Sequence, residues 1–372
     1  MRKLRFILLL MGCFLLGVII GYLNYLNVFS KFLDDITSLG WYWVIVIILV
    51  TFVINIAIHE LGHLISMLKN KIKVRAVFIL AFTFVKTDKI RIGIYPKLFK
   101  LVGGAVIPNI GEIKDRESYY QYVDAFKKVI KAGPFATISF SLFSVIFFII
   151  SLFFGNSALV FISFYFMVIT LILMVLILIS SKQDFNGLYG DYVAYEKLTT
   201  SKRFKILYIL SACETSDFEK KNKKFLWNKI IKELEKSTEI HTAPGCEFLQ
   251  YYCSEIVFNH AIGSVDIDSH LTKTYHLLKN TEEHYVLGHY LLYYYYVRKM
   301  EASFLGAKIK LDQIKRQMNH KMVFFWETRT NYLLGLSKVE AYKDLQFDAT
   351  STSFIMKPLY KYEKIEEKPL KI

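Results

Sequence analysis

The 372-residue chain is short of charge and of chain-breaking residues: 21% of it is charged and only six residues are proline, against about 25% charged and about 5% proline in average proteins. Cysteine is scarce too. Its four cysteines (Cys13, Cys213, Cys246, Cys253) form no C-x-x-C pair, which argues against both a disulfide framework and a cysteine zinc site. That pattern suits a C-terminal half facing a reducing compartment. With 54% hydrophobic residues, 16% aromatic residues and a mean hydropathy of +0.33, global disorder is excluded.

What is plentiful is apolar sequence and positive charge, and the two coincide. The formal net charge is +15. Residues 1–180 hold 18 Lys and Arg against 8 Asp and Glu, whereas residues 181–372 hold 29 against 24. The apolar half is therefore the more basic one. Its basic residues flank uncharged stretches, which makes them topology signals of a membrane protein and leaves no nucleic-acid surface to assign.

Residues 6–30 form the first uncharged stretch, behind the basic opening MRKLR. A secretory signal has an apolar core of about 7–15 residues followed by a small-residue cleavage site. This run is longer and residues 21–27 offer no such site, so a retained transmembrane helix is expected. A second run spans residues 36–58 and continues through HELGHLISML to Lys69, with Trp41 and Trp43 placed for an interfacial belt. Residues 132–181 are long enough for two more spans, with a turn at Gly155-Asn-Ser.

The stretch from Lys69 to Lys131 carries 14 basic against 5 acidic residues, while only Lys31, Asp34 and Asp35 separate the first two runs. The positive-inside rule then puts both termini and this long loop in the cytoplasm. Within it, residues 74–85 and 89–95 read as two strands of a hairpin on or in the inner leaflet. From about Tyr192 onward apolar residues fall at helical spacing, as in residues 225–234 and 285–292. The segments around Leu287-Gly288 and Leu334-Gly335 are loosely alike, a thin hint of helical-hairpin repeats; Tyr293 to Tyr296 read as a packed helix surface.

The expected fold is an α-helical multi-pass membrane protein with about four transmembrane helices, a small β-hairpin insertion and an all-α cytoplasmic C-terminal domain. Its parts are residues 1–35 (first transmembrane helix), 36–192 (membrane core) and 193–372 (cytoplasmic domain).

His59-Glu60-Leu61-Gly62-His63 matches H-E-x-x-H. Residues four apart share a helix face, so both imidazoles can bind one metal ion, and Glu60 sits where it can act on a water there. Two imidazoles and one carboxylate with an open fourth position suit zinc. If the helix starts near Gly40, His59 lies about 28 Å along it. Ionisable side chains near membrane depth are functional candidates.

The third ligand must come from elsewhere in the chain. Asp184 and Asp191 have the right depth, directly after the fourth span. Asn55, one turn before His59, could hydrogen-bond a substrate carbonyl or its oxyanion; an interhelical hydrogen bond is the competing reading. Gly133 and Pro134 suit the first turn of the third span.

HELGH within an apolar run, Val102-Gly-Gly-Ala-Val beside the hairpin, Ala132-Gly-Pro-Phe-Ala at the third span and Asp184-Phe-Asn-Gly after the fourth together resemble the site-2 proteases, the intramembrane zinc metalloproteases. The resemblance covers roughly residues 40–192. It implies zinc held by His59, His63 and Asp184, with Asp191 as the second choice, and Glu60 as general base. Two positions depart from the family pattern: Thr137 stands where an Asn is usual, and Phe185 and Asn186 separate Asp184 from its Gly.

The expected activity is hydrolysis of a peptide bond in a membrane-anchored protein or a signal-peptide remnant near the cytoplasmic leaflet of the cell membrane. The partners would be the bilayer, that substrate and a cytoplasmic protein docked on the C-terminal domain. The rival is a non-catalytic metal-binding membrane protein, such as a sensor or immunity-type partner. Proteases that carry H-E-x-x-H outside the bilayer fit less well, because HELGH continues an uncharged span.

Overall fold

The computed structural model describes residues 34, 40–86, 89–96, 98, 103–154, 156–185, 188–214, 216–236, 316, 320–333 and 336–339. The expected span at residues 6–30, the repeat-like segment around Leu287-Gly288 and Tyr293 to Tyr296 lie outside the described residues. So does the Leu334-Gly335 pair.

Among the described residues three helices are long and apolar enough to cross a membrane: α1 (Trp41–Lys69), α2 (Arg116–Phe154) and α3 (Ser157–Ser180). Between them lie β1 (Lys73–Ile79), β2 (Phe82–Lys86), β3 (Ile90–Ile94) and β4 (Gly104–Asn109). After α3 come β5 (Asp184–Phe185), β6 (Leu188–Tyr189), α4 (Asp191–Thr200), α5 (Lys202–Glu214), α6 (Glu219–Lys236) and α7 (His320–Leu333). Residue contacts divide the chain into two units, residues 1–59 with 133–181 and residues 60–132 with 182–372. Both divisions fall inside continuous helices, α1 and α2.

The first unit is a helical one whose interfaces are lined by small polar side chains. Thr51, Asn55, Thr137, Ser141, Ser144, Ser151, Ser163 and Thr170 are all buried, while Ile146, Phe153 and Leu176 are exposed. That inversion suits helices surrounded by lipid, where burying apolar surface gives no drive and close packing and hydrogen bonds hold helices together. Ser151 and Ser163 join α2 to α3, with their hydroxyl oxygens 2.6 Å apart. Asn55 Nδ2 donates to Thr51 O at 2.9 Å and to Thr170 Oγ1 at 3.3 Å, joining α1 to α3.

α2 begins sixteen residues before the expected third span, and Pro134 stands inside it instead of in its first turn. The reason is the face formed by Tyr119, Val123, Phe126 and Ile130, all buried at helical spacing. Tertiary burial of that face carries the helix through a proline that removes one backbone donor.

The second unit contains an antiparallel sheet in the order β3-β2-β1-β4. The stretch 74–85, expected as one strand, is itself a hairpin that turns at Leu80-Ala81, with Leu80 at φ 52°. No glycine, asparagine or proline marks that turn, so alternation alone could not find it. β4 was not foreseen either. It pairs with β1 from Ile79↔Gly104 to Lys73↔Asn109, with an irregularity between Val74 and Ala76, and its Pro108 is tolerated because β4 is an edge strand. Ala76, Phe78, Val85, Leu98 and Ile107 form the sheet's core. At the other edge Ile90, Ile92 and Ile94 are 70, 68 and 68% exposed. The apolar spacing at residues 225–234 is realised in α6, where Leu226 and Ile230 are buried.

Candidate metal centre

α1 is built from an almost uninterrupted apolar sequence and ends where Lys71 adopts φ 60°, a left-handed position that stops the helix. HELGH occupies its C-terminal third. His59 and His63 are half-buried and one turn apart on one face, and Glu60 is buried.

Hydrogen bonds at Nδ1 decide which nitrogen of each imidazole keeps its lone pair. His63 Nδ1 lies 2.8 Å from the Val129 carbonyl oxygen. A carbonyl only accepts, so Nδ1 carries the proton. His59 Nδ1 lies 3.0 Å from Thr137 Oγ1, and Thr137 donates its hydroxyl proton to Gly133 O at 3.2 Å. Thr137 Oγ1 therefore accepts from His59 Nδ1–H. In both rings the lone pair falls on Nε2. Anchoring of the outer nitrogen by a backbone or side-chain oxygen is the usual support of a metal-ligating histidine.

The carboxylate that joins them is Asp191. The β5–β6 hairpin pairs Asp184 with Tyr189 and Phe185 with Leu188, and Gly190 N donates to Gln183 O at 3.0 Å. The chain thus doubles back, and Asp191 opens α4 with its Oδ2 3.6 Å from His63 Nε2. One ligand atom from each of His59, His63 and Asp191 lies within 4.8 Å of the others. Two ligands about 2.0–2.1 Å from a tetrahedral zinc ion stand roughly 3.3 Å apart. The donor set, its spacing and the Nε2 lone pairs all fit such an ion.

Asp184, the expected third ligand, is elsewhere. Its Oδ2 is 2.6 Å from Lys197 Nζ, and that ammonium also lies 4.0 Å from the centroid of the Tyr189 ring. The structure brings Asp191, and not Asp184, beside the histidines, because the hairpin cancels seven residues of sequence separation. Asp184 ties the hairpin to α4 instead.

Two further residues complete the surroundings. Tyr208 packs edge-on against Phe126, with ring centroids 5.3 Å apart; burial and, after it, the negative charge of Asp191 raise its phenol above the usual range. Asn55 spends its amide nitrogen on the interhelical bond to Thr170, the competing reading of that residue, and its buried Oδ1 meets no hydrogen-bond donor among the described residues.

Gly104, which the sequence offers only within Val102-Gly-Gly-Ala-Val, lies against Glu60. A Cβ at this position would lie 2.4 Å from Glu60 Cγ, 2.7 Å from Glu60 Cδ and 2.5 Å from the Phe78 carbonyl oxygen. The start of β4 therefore lies directly against the Glu60 side chain, at a distance only glycine permits. The V-G-G-A-V sequence is a signal for such a close approach, but nothing in it names the partner.

The family model described as Peptidase family M50 matches residues 47–354, most of the chain. No curated protein and no solved structure matches it. With HELGH on an apolar helix and a carboxylate gathered beside it, the chain belongs to peptidase family M50, the site-2 protease family of metalloproteases.

Proposed function

We propose that the protein is a zinc-dependent intramembrane endopeptidase in which His59, His63 and Asp191 hold the metal and Glu60 is the general base. The observation that carries this reading is the gathering of those three ligand atoms within 4.8 Å, on and beside the helix turn that bears Glu60. A zinc ion there supplies the Lewis acidity that polarises a peptide carbonyl and makes water nucleophilic near neutral pH.

The chain's own residues do the rest. A Glu60 carboxylate oxygen takes the proton of the attacking water and passes it to the leaving amine nitrogen. Burial of Glu60 against β4 limits competing contact with bulk water. Thr137 and the Val129 carbonyl hold the imidazoles in register.

The substrate is a membrane-anchored protein or signal-peptide remnant, cleaved near the cytoplasmic leaflet of the cell membrane. A helical substrate hides its carbonyls in i to i−4 bonds and has to unwind before cleavage. Among the described residues strand β3 is an edge whose exposed Ile90, Ile92 and Ile94 suit the lipid interface, and it can accept an unwound segment by strand addition. The charge excess of the 69–131 stretch supports cytoplasmic termini, and the helices beyond Thr200 would dock a cytoplasmic partner.

The test is cleavage of a single-span reporter by the purified protein in lipid vesicles. Chelator-sensitive cleavage that disappears in Glu60→Gln, while zinc content is kept, supports the reading. Cleavage that persists with chelator, or activity unchanged in Glu60→Gln, overturns it; a biological role surviving in Glu60→Gln would point to the non-catalytic metal-binding alternative.

A further inference from the structure

Residues 110–114, between β4 and α2, belong to no helix or strand, yet Ile110 and Ile113 within them are buried. Buried backbone polar groups need partners, and here the partners come largely from the junction of α5 and α6. Asn222, fully buried, grips the segment at two points: Ile113 N donates to its Oδ1 at 2.7 Å, and its Nδ2 donates to Gly111 O at 3.0 Å. Ser216 Oγ donates to Ile110 O. Asn109 and Asp217 bond reciprocally, with Asn109 Nδ2 to Asp217 Oδ2 at 2.8 Å and Asp217 N to Asn109 Oδ1 at 3.1 Å. Tyr122 of α2 takes the remaining Gly111 N at 2.8 Å, and Lys221 pairs with Glu112 at 3.2 Å.

This grip acts on a strand that the sheet holds from one side. Among the described residues β4 is a sheet edge that bonds to one neighbour, its pairing is irregular between Val74 and Ala76, and Pro108 has no N–H to give. A strand that slips by one residue turns its side chains to the opposite face, and one that slips by two keeps its face but changes the residue presented. At the other end of β4 only a residue without Cβ fits beside Glu60. A two-residue slip would bring Val102 or Val106 there.

We propose that Asn222 is a positioning residue: by holding Gly111 and Ile113 it sets the register of β4, and so keeps Gly104 and no larger residue against Glu60. The helical region after the last described span is then part of the catalytic apparatus, and a partner that displaces the α5–α6 junction has a direct route to the base. The inference rests on the reading of Glu60 as that base.

The experiment compares the full-length wild type, Asn222→Ala and Ile230→Ala in vesicles. Ile230→Ala removes buried packing from the same helix but no hydrogen bond. Amide exchange of residues 104–113, zinc content, and kcat and KM on a single-span reporter are measured for each. Asn222→Ala should raise exchange in that segment and lower kcat by roughly 10- to 100-fold, the scale of a small misplacement of a catalytic group. Zinc content and KM should stay close to wild type, and Ile230→Ala should keep most of its kcat.

Unchanged exchange in Asn222→Ala, raised exchange with wild-type kcat, or an equal loss of kcat in Ile230→Ala would each overturn the positioning role. Absence of chelator-sensitive cleavage by the wild type would instead sink the reading of Glu60, and the positioning role with it.

Discussion

His63 Nε2 and Asp191 Oδ2 face each other across 3.6 Å, too far for a good hydrogen bond and close to the spacing of two ligands on one ion. Asp191→Ala should therefore abolish stoichiometric zinc binding, whereas Asp184→Ala should retain it. Metal analysis of the two purified variants decides the matter, and zinc lost from Asp184→Ala but kept in Asp191→Ala would reverse the assignment.

Thr137 Oγ1 accepts from His59 Nδ1 while passing its own proton to Gly133. Removing that oxygen in Thr137→Val should weaken zinc binding by about 10- to 100-fold, as loss of an outer-shell partner commonly does. Thr137→Ser keeps the hydroxyl and should stay near wild type. Competition with a fluorescent chelator measures both; equal affinity in the valine variant would remove Thr137 from the account.

Gly104→Ala places a methyl group on Glu60 and on the Phe78 carbonyl. The expected result is a kcat lowered by about 10- to 100-fold with zinc retained, because the base and not the ligands is pushed aside. Reporter cleavage together with metal content checks it, and full activity would show that β4 can yield without disturbing Glu60.

At the start of α2, Asp115 accepts from Ser118 N at 2.8 Å, and these hydrogen bonds hold its carboxyl below the ordinary range. Because the folded value lies below the unfolded one of about 3.9, the cap's contribution is complete above that value and fades as pH falls through the lower, folded one. Amide protection at Ser118 should be steady from neutral pH to about 5 and drop in stronger acid. In Asp115→Ala the protection should already be low at neutral pH.

The HELGH motif was legible because it is local. Two histidines four residues apart on a helix share a face whatever surrounds them, and the apolar run that encloses them sets their depth. The strand turn at Leu80 and the strand at 104–109 were not legible. The first lacks any turn residue, and the second is held as an edge strand by pairing with β1, about thirty residues back in the chain. α2 was read too short for a similar reason: Pro134 is a local signal for a helix's first turn, and the buried face from Tyr119 to Ile130 carries the helix back past it.

The sequence by itself determined that this is an apolar, helix-rich chain with two histidines on one helix face near one end of an apolar run, since composition, run length and i, i+4 spacing need no distant partner. Tertiary structure decided which aspartate stands beside the histidines, which glycine lies on Glu60 and what holds each imidazole. Those choices depend on a hairpin reversing seven residues, a strand edge meeting α1 and a helix running past its proline. What they bring together is far apart in the chain, Asp191 with His63 and Gly104 with Glu60, where burial and hydrogen bonding outweigh local preference.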